Sequence, residues 1–201
     1  MESQEIDKLS VLLLHHHPEF LRACCDLIND EWPRSETARM MSLQASCDTL
    51  PTSLILTNDK KDILGHCKLT PIPAIPESCF IETVVISKQL RGKKLGSHLM
   101  RKAEDYCKNV LNLEKVYLST KGQENFYAKL GYIICEPVSI YGCKPISFKL
   151  EPASHKIENS VPVSSITNGM PPPPPPPMPM TNVNNNYVTM KSNKTYMFKY
   201  I

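Results

Sequence analysis

The chain has 201 residues, 41% of them hydrophobic and 21% charged, with a formal net charge of +3. That suffices for one domain with a sizeable core and hardly for two, and so mild a charge does not demand nucleic acid. No apolar run approaches the roughly 20 residues of a membrane-spanning helix, and Val11 to Leu14 is too short for a signal-peptide core, so a cytoplasmic protein with no membrane partner is expected.

Lys8 to His17 reads as a strand whose run Val11-Leu12-Leu13-Leu14 suits burial on both faces. Pro18 fits a first helical turn, and Phe20, Leu21, Cys24, Leu27 and Ile28 recur at helical spacing until Trp32-Pro33. The Ser35 hydroxyl can cap a second helix through Met40 and Leu43. Residues 51–57 and 63–70 are strands around the turn Asn58-Asp59-Lys60-Lys61-Asp62. After a loop with prolines at 71, 73 and 76, residues 80–87 form a strong strand. Leu95, Leu99, Ala103, Tyr106 and Val110 make one stripe of a helix over 94–111. A strand at 116–120, a short helix at 123–130 and a strand at 132–140 follow.

Ten of the 18 prolines fall in the 39 residues from Pro152 to Met190, which hold one lysine, one glutamate and one aromatic. Such a stretch cannot bury enough apolar area to offset the entropy of ordering. Beyond it, Thr195 to Ile201 again reads as a strand. The element order indicates an α/β fold with a mixed sheet. The eight cysteines include no CxxC pair and sit in apolar runs, which points to buried free thiols in a reducing compartment. His15-His16-His17 reads as structural, since neighbours on a strand alternate faces. No metal is expected.

The chemically loudest stretch runs from Ile81 to Gly96. A strand feeds a short loop, Arg91-Gly92-Lys93-Lys94-Leu95-Gly96, that opens directly onto an amphipathic helix. Unpaired N–H groups and the positive helix end favour an anion there, and glycine lets the backbone approach a pyrophosphate closely. Neither GxxxxGK[ST] nor GxGxxG is present. On these residues alone, a glycine turn with solvated lysines is the other reading.

R-G-x-x-L-G between a strand and a helix resembles the acetyl-CoA loop of the GCN5-related N-acetyltransferase (GNAT) superfamily. Asn125-Phe126-Tyr127-Ala128-Lys129-Leu130-Gly131-Tyr132, one helix, one strand and one short helix downstream, is similar to that family's N-x-Y-x-K-x-G-[FY] segment. The resemblance covers residues 8–140 and the final strand. It implies a single GNAT domain with a mixed, mostly antiparallel sheet, splayed fourth and fifth strands, and about four helices. The core would be 8–151, the proline-rich insertion 152–190, and residues 191–201 would return to complete the sheet. Acetyl-CoA is the implied co-substrate, held by Thr83, Val84 and Val85 on the fourth strand, by Arg91, Gly92, Lys93, Lys94, Leu95, Gly96 and Ser97, and by Asn125. The resemblance makes Tyr127 the general acid for the departing thiolate; a packed core tyrosine is the alternative.

Glu82 is the base candidate. Strand alternation places it on one face with Phe80, Val84 and Ile86, where an apolar setting would raise its pKa. A carboxylate reaching outward or bonding its own backbone is the competing reading. An α-amine titrates near about 8, so a water-relayed base suffices for it, whereas a lysine amine needs more help. The lack of an obvious dedicated base favours an α-amine acceptor.

The loop Glu31-Trp32-Pro33-Arg34-Ser35-Glu36-Thr37-Ala38-Arg39 carries the acceptor candidates. Arg34 and Arg39 could grip carboxylates, Trp32 could wall the pocket, and Ser119 is a neighbour by position; both arginines could equally be solvated. Pro171–Pro177 with Pro179 reads as a polyproline II rod, expected to span roughly 28 Å, of a kind that suits profilin, a spacer being the other reading. Within the family, this combination is most similar to members that acetylate the acidic N-terminus of processed actin. It implies transfer to an Asp- or Glu-initiated α-amine, with profilin on Pro171–Pro179. An acetyltransferase for another amine, and a non-catalytic module docking profilin, remain the alternatives.

Overall fold

Strands Ser10–Leu13 (β1), Thr52–Thr57 (β2), Ile63–Pro71 (β3), Ser78–Ile86 (β4), Lys115–Thr120 (β5), Ile133–Cys135 (β6) and Thr195–Tyr200 (β7) form one sheet in the order β1-β2-β3-β4-β5-β7-β6. The computed structural model describes residues 9–141 and 194–201, all in the compact unit Met1–Pro145 with Asn193–Ile201. Every neighbouring pair is antiparallel except β4 and β5. That parallel pair requires a crossover, which helix Leu95–Asn109 supplies. The last strand slots between β5 and β6, pairing Tyr117 with Phe198 and Ile134 with Met197. The expected single-domain α/β fold with a mostly antiparallel sheet is thus observed. The proline-rich segment 152–190, its rod Pro171–Pro179, and the proposed limits at 8, 151 and 191 lie outside the described residues.

Helices Leu21–Glu31 (α1), Glu36–Gln44 (α2), Leu95–Asn109 (α3) and Glu124–Lys129 (α4) cover the two faces. Strand periodicity sorts the core accordingly. Ile55 packs with Leu14, Phe20, Cys24, Cys25, Ile28 and Leu43 under α1 and α2, whereas its neighbours Leu54 and Leu56 pack with Leu99, Met100, Ala103 and Cys107 of α3. Ser35 caps α2 as expected, its Oγ accepting from the Ala38 N–H at 3.5 Å. All seven described cysteines are free. Among the described residues no helix is long and apolar enough to cross a membrane.

Several boundaries differ from the sequence reading. β1 stops at Leu13 because the chain tightens into a 3₁₀ turn over Leu14–His16. As an edge strand paired only with β2, β1 is partly exposed rather than buried on both faces. The turn also cancels the expected alternation of the histidines: His15 Nε2 and His16 Nε2 both reach Asp48 Oδ1, at 2.9 and 3.1 Å. On α3 the buried stripe takes in Met100 and Cys107, leaving Val110 exposed beyond the helix end. The strand expected over 132–140 is confined to Ile133–Cys135.

Candidate active site

β4 and β5 pair from Ser78–Lys115 to Ile81–Leu118 and then part. β4 continues along β3 to Ile86, and β5 along β7 to Thr120. From Glu82 onward one edge of β4 therefore has no strand partner among the described residues. At the same place β4 carries a bulge. Lys68 faces Glu82 and His66 faces Val85, so Thr83 and Val84 together oppose only Cys67. Thr83 sits at φ +53°, a left-handed conformation costing about 1–3 kcal/mol for a β-branched residue. Its carbonyl is met by Nδ1 of His66 at 3.3 Å. The extra residue re-aims the strand, so that Val84, Val85 and Ile86 all line a cleft of about 480 Å³.

The loop from β4 to α3 forms the next wall. Gly92 at φ +82° and Lys94 at φ +61° are both left-handed. They flank Lys93 and turn the chain into α3, whose first N–H groups have no intrahelical acceptor. A Cβ at Gly92 would meet nothing within 4 Å, so its glycine serves conformation. At Gly96 a Cβ would stand 3.4 Å from the Phe126 ring, an ordinary contact, so α4 packs directly on the start of α3 there. Arg91 is doubly anchored, Nε donating to the Ile86 carbonyl at 3.2 Å and an Nη donating to Glu31 at 2.7 Å. Backbone donors, a helix N-terminus and cations thus converge on one side of the cleft, a set that fits a diphosphate.

Tyr127 also lines the cleft. Its ring meets Phe126 and Tyr132 edge to face, with centroids 5.0 and 5.8 Å away. Burial pushes its hydroxyl up to about 12, so the phenol stays protonated at neutral pH and can only give a proton.

Among the expected site residues, Trp32, Val84, Val85, Arg91, Gly92, Lys94, Leu95, Gly96, Ser97 and Tyr127 meet at this cleft. Thr83, Lys93, Asn125, Ser119, Arg34, Arg39 and Glu82 are not in its lining. Thr83 lies in the bulge, Lys93 and Asn125 are exposed, and Ser119 pairs with Tyr196 inside the sheet.

Two of these placements depart from the sequence reading. The bulge reverses alternation, so Val84 and Ile86 pack toward α3 whereas Glu82 stays on the α2 face with Lys68. Instead of an apolar setting, Glu82 accepts from Thr70 Oγ1 at 2.6 Å and stands 3.9 Å from Lys68 Nζ. Arg39 is buried, donating to Asn29 Oδ1 at 3.1 Å and to the Trp32 carbonyl at 2.9 Å. Its guanidinium fixes the α1–α2 loop, while Arg34 on that loop is exposed. Glu31, Leu90, Gln123 and Phe126 also line the cleft. Sequence pattern carried no signal for Glu31, whose place depends on how α1 ends against the loop.

The model of the acetyltransferase (GNAT) family matches residues 21–132. The chain is 39% identical over 127 residues to mouse N-alpha-acetyltransferase 80, covering 60% of this chain and 40% of that protein. It is 31% identical over 87 residues to protein ElaA of Escherichia coli, 39% of this chain and 57% of that one. The chain therefore spans less than two thirds of these curated relatives. A Staphylococcus aureus acetyltransferase of the GNAT family superposes with TM-score 0.58 at 14% identity, over 96% of this chain and 98% of that one. Spermidine N-acetyltransferase from Vibrio cholerae, in complex with CoA and spermine, superposes with TM-score 0.55 at 21% identity, over 68% and 89% of the two chains. Splayed strands, phosphate-type loop and matched family model agree: the chain belongs to the acetyltransferase (GNAT) family.

Proposed function

We propose that the protein transfers an acetyl group from acetyl-CoA to the α-amine of an acidic N-terminus, that of processed actin foremost. The observation that carries the reading is the convergence of the unpaired β4 edge, the Gly92–Lys94 loop and the protonated Tyr127 hydroxyl on one cleft. Likeness to N-alpha-acetyltransferase 80 supports the α-amine.

Acetyl-CoA supplies an activated acyl group and a thiolate leaving group. The loop residues Arg91, Gly92 and Lys94, with the N–H groups opening α3, would hold its diphosphate. The bulged β4 backbone at Val84 and Val85 would line the arm and offer hydrogen bonds to the acyl oxygen, where charge develops. Tyr127 would give its phenolic proton to the sulfur as the carbon–sulfur bond breaks.

On the acceptor side, Glu31 is the one carboxylate among the lining residues, and it is engaged by Arg91. Glu82 is likewise occupied, by Thr70. An α-amine fits such a site, because about a tenth of it is already neutral at pH 7 and water can take its remaining proton. Exposed Arg34, two residues beyond the cleft-lining Trp32, supports an acidic acceptor. Profilin, docked on Pro171–Pro179, would present the actin.

The test is acetyl transfer to peptides beginning Asp-Asp-Asp, Ser or Met, with spermidine as a fourth acceptor. Acetylation of the acidic peptide at ten times the rate of the others or more supports the reading. Equal peptide rates would sink the specificity, and preference for spermidine would move the protein to small-amine chemistry.

A further inference from the structure

Thr83 cannot keep its conformation by itself. A β-branched residue at φ +53° is held only where its surroundings determine it, and the bulge removes one rung of the regular β3–β4 ladder at this point. The Thr83 carbonyl is met by a side chain from the neighbouring strand, His66, with Nδ1 at 3.3 Å.

His66 is only 1% exposed and stands between Ile55 and Val85 on the face covered by α1 and α2. A carbonyl accepts only, so Nδ1 carries the hydrogen and Nε2 is left as an acceptor. That Nε2 is buried without a partner among the described residues. Burial and the nearby cations Lys68 and Arg39 hold the ring neutral, its pKa pulled down to about 4. An aliphatic side chain would fill the same space with no orphaned nitrogen, so the imidazole is explained by the donor it supplies.

We propose that His66 is a positioning residue for the coenzyme site: its Nδ1–H stands in for the missing ladder donor, pins the Thr83 carbonyl, and so fixes the bulge that turns Val84 and Val85 into the cleft. The role rests on the coenzyme reading of that cleft. It acts from the neighbouring strand, through the backbone, without touching the substrate.

Three variants separate the donor from the bulk. His66→Asn sets an amide N–H near the place of Nδ1, His66→Gln sets one near Nε2, and His66→Leu offers none. CoA affinity is measured by calorimetry, and amide exchange at Val84–Ile86 without ligand. His66→Leu and His66→Gln are expected to weaken CoA binding about tenfold, the scale of one lost hydrogen bond, and to speed exchange at Val84–Ile86, with His66→Asn within about threefold of wild type. Should the leucine variant not fold, the asparagine–glutamine contrast decides alone. Wild-type affinity in the leucine variant, or equal losses in asparagine and glutamine, would overturn the role while leaving the coenzyme reading intact. A wild-type chain that binds no CoA would overturn that reading, and this role with it.

Discussion

Ile81 and Val85, four residues apart on one strand, bury their side chains on opposite faces of the sheet. Ile81 packs with Leu118 and Met197 on the α3 face, and Val85 with Ile28 and Leu43 beneath α1 and α2. A regular strand would place both on one face. The extra residue between them is what lets β4 build the core of one layer at its start and line a cleft at its end.

Tyr127→Phe keeps the ring and removes the proton. Turnover should fall by a factor of about 100 or more, with CoA affinity within about twofold of wild type. Because burial holds the hydroxyl near 12, any activity change between pH 7 and 9 belongs to other groups, and its shape should survive the substitution. Undiminished turnover in the variant would remove Tyr127 as the acid.

Gly92→Ala isolates backbone conformation. With nothing near the new Cβ, the cost is the left-handed φ of +82° alone, about 1 kcal/mol in urea unfolding. Gly92→Asn should cost less, since asparagine tolerates this region. CoA binding should weaken in the same order. An alanine variant as stable as wild type would show that the loop relaxes.

Glu31→Gln releases Arg91. Both partners are partly solvated, so stability should change by less than about 1 kcal/mol. Removing a negative charge beside the loop should tighten CoA binding severalfold at low salt and less at high salt. Weaker binding would mean instead that Glu31 holds Arg91 in its useful position.

His66 makes stability depend on pH with a defined sign. Its pKa is lowered from 6.5 to about 4 by burial, so the folded state binds fewer protons there than the unfolded chain. Its contribution is present above pH 6.5 and is lost as pH falls toward 4, on the order of 3 kcal/mol in all. Urea midpoints at pH 7 and 4.5 should fall more for wild type than for His66→Leu. An identical fall in both would contradict this.

The readable parts of the chain were those whose chemistry is local. Arg91 to Gly96 announced a turn and a helix start through its glycines and lysines, and Ser35 announced a cap. That Thr195–Tyr200 joins the sheet was anticipated by resemblance, but its place between β5 and β6 was not, since a pattern of seven residues names no neighbour. The bulge was illegible because no glycine or proline marks it: Thr83 is held left-handed by His66, 17 residues away. That one omission misplaced Glu82 by a face. Arg39 was misjudged for a related reason, as its burial depends on Asn29 and Trp32 across a loop.

The central claim is tested most directly by mass spectrometry of protein N-termini in cells lacking this protein. The expected result is loss of the acetyl group from acidic N-termini, actin foremost, with Ser- and Met-initiated termini unchanged. Full acetylation of the acidic termini in those cells would contradict it.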